Sequence, residues 1–253
     1  MLVGSTWANN QYFNPKQIGG LVQWIDATDP AGNGIVPSNG TSLTDWVDKS
    51  GTGNSFNQST GANKPTFNTN QINGKPAVTF NGSTNYMTGT ATNFPLGSAG
   101  RTCFAVITIS SLTQAYFYSS GQATAAGRLS MGIFNGGAGV VYFLNFEMNG
   151  TGDTGNTSLS TATPYLYYFN SAAGALSSTF STRIAGADQT LTGSNVALNS
   201  AYTSGSAIGC IVTPTVLNWP GQIAEIIFYN NSLSAAQVSL VNNYLKNKWA
   251  ITP

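Results

Sequence analysis

Apolar residues in this chain come in short runs, many of them alternating, and the runs are separated by clusters of Gly, Asn, Ser and Pro. That punctuation predicts many strands joined by turns, since strand side chains alternate faces and turn residues interrupt the alternation. The runs that read as strands are Leu21–Asp26, Ala77–Phe80, Thr102–Ile109, Arg128–Phe134, Val140–Met148, Tyr165–Asn170, Thr179–Ala185, Ala207–Thr213 and Ile223–Tyr229. In Val140–Met148 one face carries Val140, Tyr142, Leu144, Phe146 and Met148, and the other Val141, Phe143, Asn145 and Glu147. One dry and one mixed face suit a sandwich strand. The stretch Asn149–Ser160 reads as a loop, and no solenoid or propeller period recurs.

One helix stands out near the end. Ser234 can cap its first amides, Gln237 can bond back to the cap, and Leu233 with Val238 forms a hydrophobic staple. Val238, Val241, Leu245 and Trp249 share one face, with Lys246 and Lys248 near the negative end of the dipole. The expectation is a helix packed across a sheet edge. The fold class is therefore all-β: a two-sheet antiparallel β-sandwich with a short C-terminal helix.

Composition narrows the function. Only 7% of the 253 residues are charged, against about a quarter in an average soluble domain, so Asn, Ser, Thr, Gln and Gly supply the polar surface. A net charge of +1 without a Lys/Arg cluster leaves no footprint for a phosphate backbone, and nucleic acid is not an expected partner. Residues 1–20 lack the basic opening and apolar core of a signal peptide, and no run is long enough to span a membrane. With Met1 at its start, the chain reads as a complete product without an export signal. There is no histidine, which excludes a Ser-His-Asp or Cys-His nucleophile and His-ligated metals. Cys103 and Cys210 lie in apolar β-patterned stretches and read as two buried free thiols before a disulfide.

Four segments resemble the concanavalin A-like/laminin-G-like jelly rolls of bacterial and viral surface and virion proteins: LVQWIDATD at 21–29, DWVDKSGTG at 45–53, NGKPAVTFNG at 73–82 and GQIAEIIFYN at 221–230. The last runs into the terminal helix, and together they place a single domain over residues 20–253. Residues 1–19 have no counterpart. They mix Trp7, Tyr12 and Phe13 with Asn, Gln and Pro in no regular period, and read as an N-terminal arm whose aromatics anchor an assembly or, with equal weight, as a segment that folds back along its own domain and covers a sheet edge.

The resemblance covers lectins, glucanases, adhesion modules and structural proteins alike. Members that hydrolyse glucans carry alternating carboxylates on one strand. Here the eight acids give no i,i+2 pair: Asp26/Asp29 and Asp45/Asp48 are spaced by three, while Glu147, Asp153, Asp188 and Glu225 stand alone. A pair such as Glu147 with Glu225 would have to come from different strands, and the plainer reading pairs Glu225 with Arg101 or Arg183. Asp26, Asp29, Asp45 and Asp48, with Asn33, offer oxygen ligands for calcium, although turn caps in Gly-rich loops need the same residue types. No other cofactor is expected. A glycan platform could come from Trp219, Tyr202 and Tyr86 beside the loops at Asn135–Gly137 and Asn149–Asn156, whereas Trp24, Trp46 and Trp249 read as core.

These readings converge on a non-catalytic structural or recognition protein, first a virion exterior, minor capsid or decoration protein at the virion surface or extracellular after release. Its partners would be other virion or surface proteins, further copies of itself, or a glycan, without membrane insertion. The alternatives are a lectin-like carbohydrate-binding module and, third, a degenerate glycoside hydrolase.

Overall fold

The computed structural model describes residues 13–122, 127–135, 142–148, 151–154, 159–174, 180–184, 187–188, 199–202, 205–212 and 216–251. The strands are β1 Leu21–Asp26, β2 Thr41–Ser42, β3 Asp45–Trp46, β4 Phe56–Asn57, β5 Thr66–Ile72, β6 Lys75–Asn81, β7 Met87–Gly89, β8 Arg101–Ile109 and β9 Ala115–Gly121. They continue as β10 Arg128–Asn135, β11 Tyr142–Met148, β12 Thr151–Thr154, β13 Tyr165–Ser171, β14 Phe180–Ile184, β15 Ala187–Asp188, β16 Ser206–Ile208 and β17 Pro220–Tyr229, and helix α1 covers Ala235–Trp249.

Among the described residues these strands form two antiparallel sheets. The larger runs β15-β14-β13-β8-β17-β6-β5-β2, with β1 pairing the second half of β17, and the smaller runs β12-β11-β10-β9-β16-β7-β4-β3. The fold is the β-sandwich that the hydrophobic pattern predicts. Its interior is aromatic: Phe228 of the larger sheet meets Tyr118 of the smaller one at 6.0 Å, and Phe117 meets Tyr167 at 5.8 Å and Trp219 at 5.5 Å.

Several local expectations change. Residues 151–154 lie inside the stretch read as a loop, but pair with β11 as a hairpin strand. β16 stops at Ile208, well short of Thr213, because Gly209 takes φ +79° and sits against the Phe80 ring, where a Cβ would collide with it. β9 was not marked by the pattern at all. Its sequence AYFYSSG buries every residue, so it lacks the polar alternation that betrays a half-exposed strand.

Helix α1 does not cross a sheet edge. It lies on the face of the larger sheet turned away from the sandwich interior, over β8 and β13, as a third layer. That face carries Phe104, with Tyr168 and Tyr229 each packed against its ring, and needs a cover. The helix begins as expected, with the Ser234/Gln237 capping box, and buries Val238, Val241, Leu245 and Trp249. Its entry is pinned by Leu233, whose N–H donates to Asn170 Oδ1 at 3.0 Å and to Thr102 Oγ1 at 3.1 Å. At its other end the amide of Asn73, from the β5–β6 turn, donates to the carbonyls of Trp249 and Ala250.

Within the segment read as an N-terminal arm, the described residues from Phe13 onward are docked on the domain. Phe13 packs edge-on to Tyr244 at 5.8 Å, Ile18 is buried, and Tyr229 Oη donates to the Pro15 carbonyl at 3.0 Å. The apolar surface beside α1 gives these residues a partner within their own domain. Trp7 and Tyr12 lie outside the described residues. Cys103 and Cys210 are both free and buried, and none of the described helices is long and apolar enough to cross a membrane.

Candidate functional site

Three chain segments converge beside the start of β1 and enclose a cleft of about 450 Å³, lined by Asn14, Lys16, Trp24, Gly32, Val47, Asp48, Lys49 and Gly51. The first is a single 3-10 turn, Pro15–Gln17, held by a capping box in which the Asn14 side chain accepts from Lys16 N–H and Gln17 bonds back to Asn14 N–H. The second is the turn after β1. There Asp29 Oδ1 accepts from the N–H groups of Asn33 and Gly34, and Asn33 in turn accepts from Ile35 N–H.

The third is the DKSGTGN loop, and Asp48 is its organiser. Oδ1 accepts from Trp24 N–H at 2.9 Å and Ser50 N–H at 2.8 Å, while Oδ2 accepts from Asn54 N–H, Ser50 Oγ and Thr52 Oγ1. Asn54 then ties the loop to the sandwich, donating to the carbonyls of Val22 and Thr92 and accepting from Thr90 Oγ1 and Thr92 N–H. Lys49 N–H donates to the Trp24 carbonyl. Its ammonium lies over the Trp24 ring, 4.9 Å from the centroid, and pairs with Asp26 Oδ2 at 3.2 Å and Asp29 Oδ2 at 3.3 Å.

Behind the cleft, Asp26 and Glu225 face each other across the β1–β17 pair. Lys248 of α1 binds both, at 2.7 Å from Asp26 Oδ2 and 2.8 Å from Glu225 Oε2. Glu225 is fully buried and accepts three further bonds: Trp24 Nε1 and Tyr244 Oη to Oε1, and Trp249 Nε1 to Oε2. Burial pushes the Asp26 carboxyl up, but Lys248, Thr28 and Lys49 together hold it below its ordinary value. Burial raises the Glu225 carboxyl, against the opposing pull of Lys248. For Lys248 burial acts downward, and the two carboxylates outweigh it, so its ammonium is held more firmly than an ordinary lysine's.

The expected site residues fall as follows. Asp26, Asp29 and Asp48 come to this one end of the molecule, but their oxygens are occupied by Lys49, Lys248, Thr28, Ser50, Thr52 and backbone N–H groups. Asp45 is exposed elsewhere and accepts from Asn57. Among the described residues no three Asp, Glu, Cys or His side chains are grouped to hold a metal ion.

Trp219, expected as an exposed sugar platform, is fully buried, and its Nε1 donates to the Thr108 carbonyl, so its ring belongs to the core. Tyr202 packs on Phe94 and accepts from Arg101, while Tyr86 packs against a small buried group of Ala207, Cys210 and Val212. Asn135 ends β10, and Asn149 and Asn156 lie outside the described residues. Glu147 and Glu225 sit on strands of different sheets. The ion-pair partner of Glu225 is Lys248, and Arg101 is instead buried against the carbonyls of Gly97 and Ala99 and the hydroxyls of Ser200 and Tyr202, while the side chain of Arg183 lies outside what the structure describes. The sequence signal for the Lys248 contact was already present in the terminal helix, whose buried face places Lys248 beside Trp249.

Solved structures share this architecture. Domain 4 of AbnA, an extracellular GH43 arabinanase from Geobacillus stearothermophilus solved with arabinotriose, matches with a TM-score of 0.58 at 13% identity over 87% of this chain and 97% of its own. An arabinofuranosidase complexed with arabinofuranosyl-α-1,2-xylobiose matches with 0.62 at 15% identity over 81% of this chain. The Trypanosoma rangeli sialidase with bound 2,3-difluorosialic acid matches with 0.58 at 15% identity over 91%. The fold is a lectin-like β-sandwich. The chain spans half of the arabinofuranosidase and a third of the sialidase. No protein-family model matches it, and no curated protein matches it by sequence.

Two expectations are corrected by these neighbours. The expected virion exterior, minor capsid or decoration role is not what these neighbours carry: the proteins that share the fold are an arabinanase, an arabinofuranosidase and a sialidase. The expectation of a protein without enzymatic activity is corrected as well, because the solved structures that share the fold include parts of an arabinofuranosidase and a sialidase.

Proposed function

We propose that this chain is a carbohydrate-active protein of the concanavalin A-like/laminin-G-like kind that engages a neutral saccharide in the cleft beside Trp24. The observation that carries the reading is the match over nearly the whole of an arabinanase domain solved with arabinotriose. The four sequence segments that resemble the family support the finer assignment, and two of them, 21–29 and 45–53, build the cleft.

The cleft itself fits a saccharide. Its volume of about 450 Å³ falls within the range of small-molecule sites, and polar groups of Asn14, Lys16, Asp48 and Lys49 line it beside Val47 and the largely buried Trp24. Four carboxylates (Asp26, Asp29, Asp48 and Glu225) stand at or behind it against three ammonium groups (Lys16, Lys49 and Lys248). That near balance leaves no strong field of one sign, which favours an uncharged ligand over an anionic one.

Calorimetry with arabinotriose, arabinofuranosyl-xylobiose and a sialylated trisaccharide, run beside an assay for released reducing sugar, tests both binding and turnover. Binding of a neutral oligosaccharide is expected. Lys16→Ala and Asn14→Ala should each weaken it by up to about tenfold, which is ~1.4 kcal/mol. Failure to bind any neutral oligosaccharide would overturn the function, and full affinity in both variants would move the site elsewhere.

A further inference from the structure

The contact among Lys248, Asp26 and Glu225 has the composition of a reaction centre as well as of an ion pair. The Lys248 ammonium reaches Asp26 Oδ2 at 2.7 Å, Glu225 Oε2 at 2.8 Å and Tyr244 Oη at 3.1 Å. It lies over the rings of Trp249 and Tyr244, 5.2 and 5.4 Å from their centroids. The side chains of Asp26 and Glu225 are 3% and 0% exposed and that of Lys248 18%, so the amine and its carboxylate partner touch where water scarcely reaches. The three residues come from β1, β17 and α1, and only the finished fold assembles them.

We propose that Lys248 and Asp26 condense into an intramolecular isopeptide bond, with Glu225 as the catalytic proton shuttle. Two groups held in contact inside a fold react as if at very high concentration, and exclusion of water removes the solvent that opposes condensation. Both groups rest charged, each holding the other so, and the reaction therefore starts with an uphill step in which the Lys248 ammonium passes one proton to Asp26 Oδ2 and leaves a transient neutral amine and neutral carboxyl. Nζ then attacks Asp26 Cγ, and the C=O electron pair moves to Oδ1.

That oxygen already accepts from Thr28 N–H at 2.9 Å and Thr28 Oγ1 at 2.7 Å, two donors placed for the charge that develops there. Glu225, in contact with Nζ, takes a proton from the attacking nitrogen and returns it to Oδ2. The Cγ–Oδ2 bond breaks, Oδ2 leaves as water, and the Nζ–Cγ amide remains. One ammonium and one carboxylate become one amide and one water, with no oxidant, reductant or second substrate, and Glu225 ends as it began. The raised carboxyl of Glu225 suits a group that must both accept and release a proton. Lys49, paired with Asp26 Oδ2 as well, keeps Asp29 as its partner after the water departs.

The product would tie the last turn of α1 to the end of β1 and close nearly the whole domain into one covalent loop. Intact mass of the purified full-length chain, measured after denaturation, decides the matter. The expected mass is that of the sequence less one water, with tryptic cleavage lost after Lys248 and one branched peptide joining the regions of Asp26 and Lys248. A mass equal to the sequence, with normal cleavage at Lys248, overturns the proposal without any variant. Glu225→Gln, checked for folding by circular dichroism, should restore the full sequence mass. A crosslink that still forms in that variant overturns the role of Glu225.

Discussion

Trp249 joins α1 to the larger sheet twice, through a fully buried ring and through the indole N–H that it donates to Glu225. Trp249→Ala is expected to lower stability by about 3–5 kcal/mol, as for other buried large-to-small changes at aromatic positions. Trp249→Phe keeps most of the packing and loses a bond to a charged acceptor, ~1.5–3 kcal/mol. Urea unfolding of the two variants should rank them in that order, and equal losses would mean that the hydrogen bond contributes nothing. The cysteines make a simpler case. Burial pushes the Cys210 thiol up to about 12 and that of Cys103 well above its ordinary value, so neither should react with a thiol reagent in the native protein near pH 8. Both should label once the chain unfolds, and rapid labelling in the native state would contradict their burial.

Among the elements, the DKSGTGN loop depends on one side chain more than on its own backbone. Asp48 satisfies five donors, and its removal leaves buried N–H groups of Trp24 and Asn54 without an acceptor. With each of the two orphaned buried donors costing ~1–3 kcal/mol, Asp48→Ala should cost about 2–6 kcal/mol in thermal or chemical unfolding, and should also loosen the cleft wall. Ser234→Ala, which removes a cap at an exposed helix start, should cost only about 1 kcal/mol. The contrast reflects what could be read in advance. A capping box is local, so the start of α1 was legible from Ser234 and Gln237. The place of α1 on a sheet face was not, because the aromatic surface that it covers comes from β8, β13 and β17, far apart in the chain. For the same reason β9 was missed: burial on both faces erased the alternation that marked its neighbours.

For the whole molecule, the contacts of Phe13, Pro15 and Ile18 favour the second of the two readings of the N-terminal segment. Deletion of residues 1–18 strips Phe13 and Ile18 from the sandwich and removes the carbonyl that meets Tyr229. Burial of a side chain such as Ile18 is worth about 1.5–3 kcal/mol, so the truncated protein should melt below the full chain; an unchanged melting temperature would return the segment to the status of an arm. Chelation should leave the melting temperature where it is, because the oxygens of Asp26, Asp29 and Asp48 are already held by lysines, hydroxyls and N–H groups, and a large fall would place a metal among them. The sequence by itself determined the β-sandwich, the terminal helix with its cap and buried face, and the segments that resemble a family, since periodicity and capping act over a few residues. Tertiary structure alone decided that Trp219 is core, that Asp48 builds a loop, and that Glu225 meets Lys248 instead of an arginine. Each of those outcomes depends on which strands become neighbours, and local pattern carries no record of that choice.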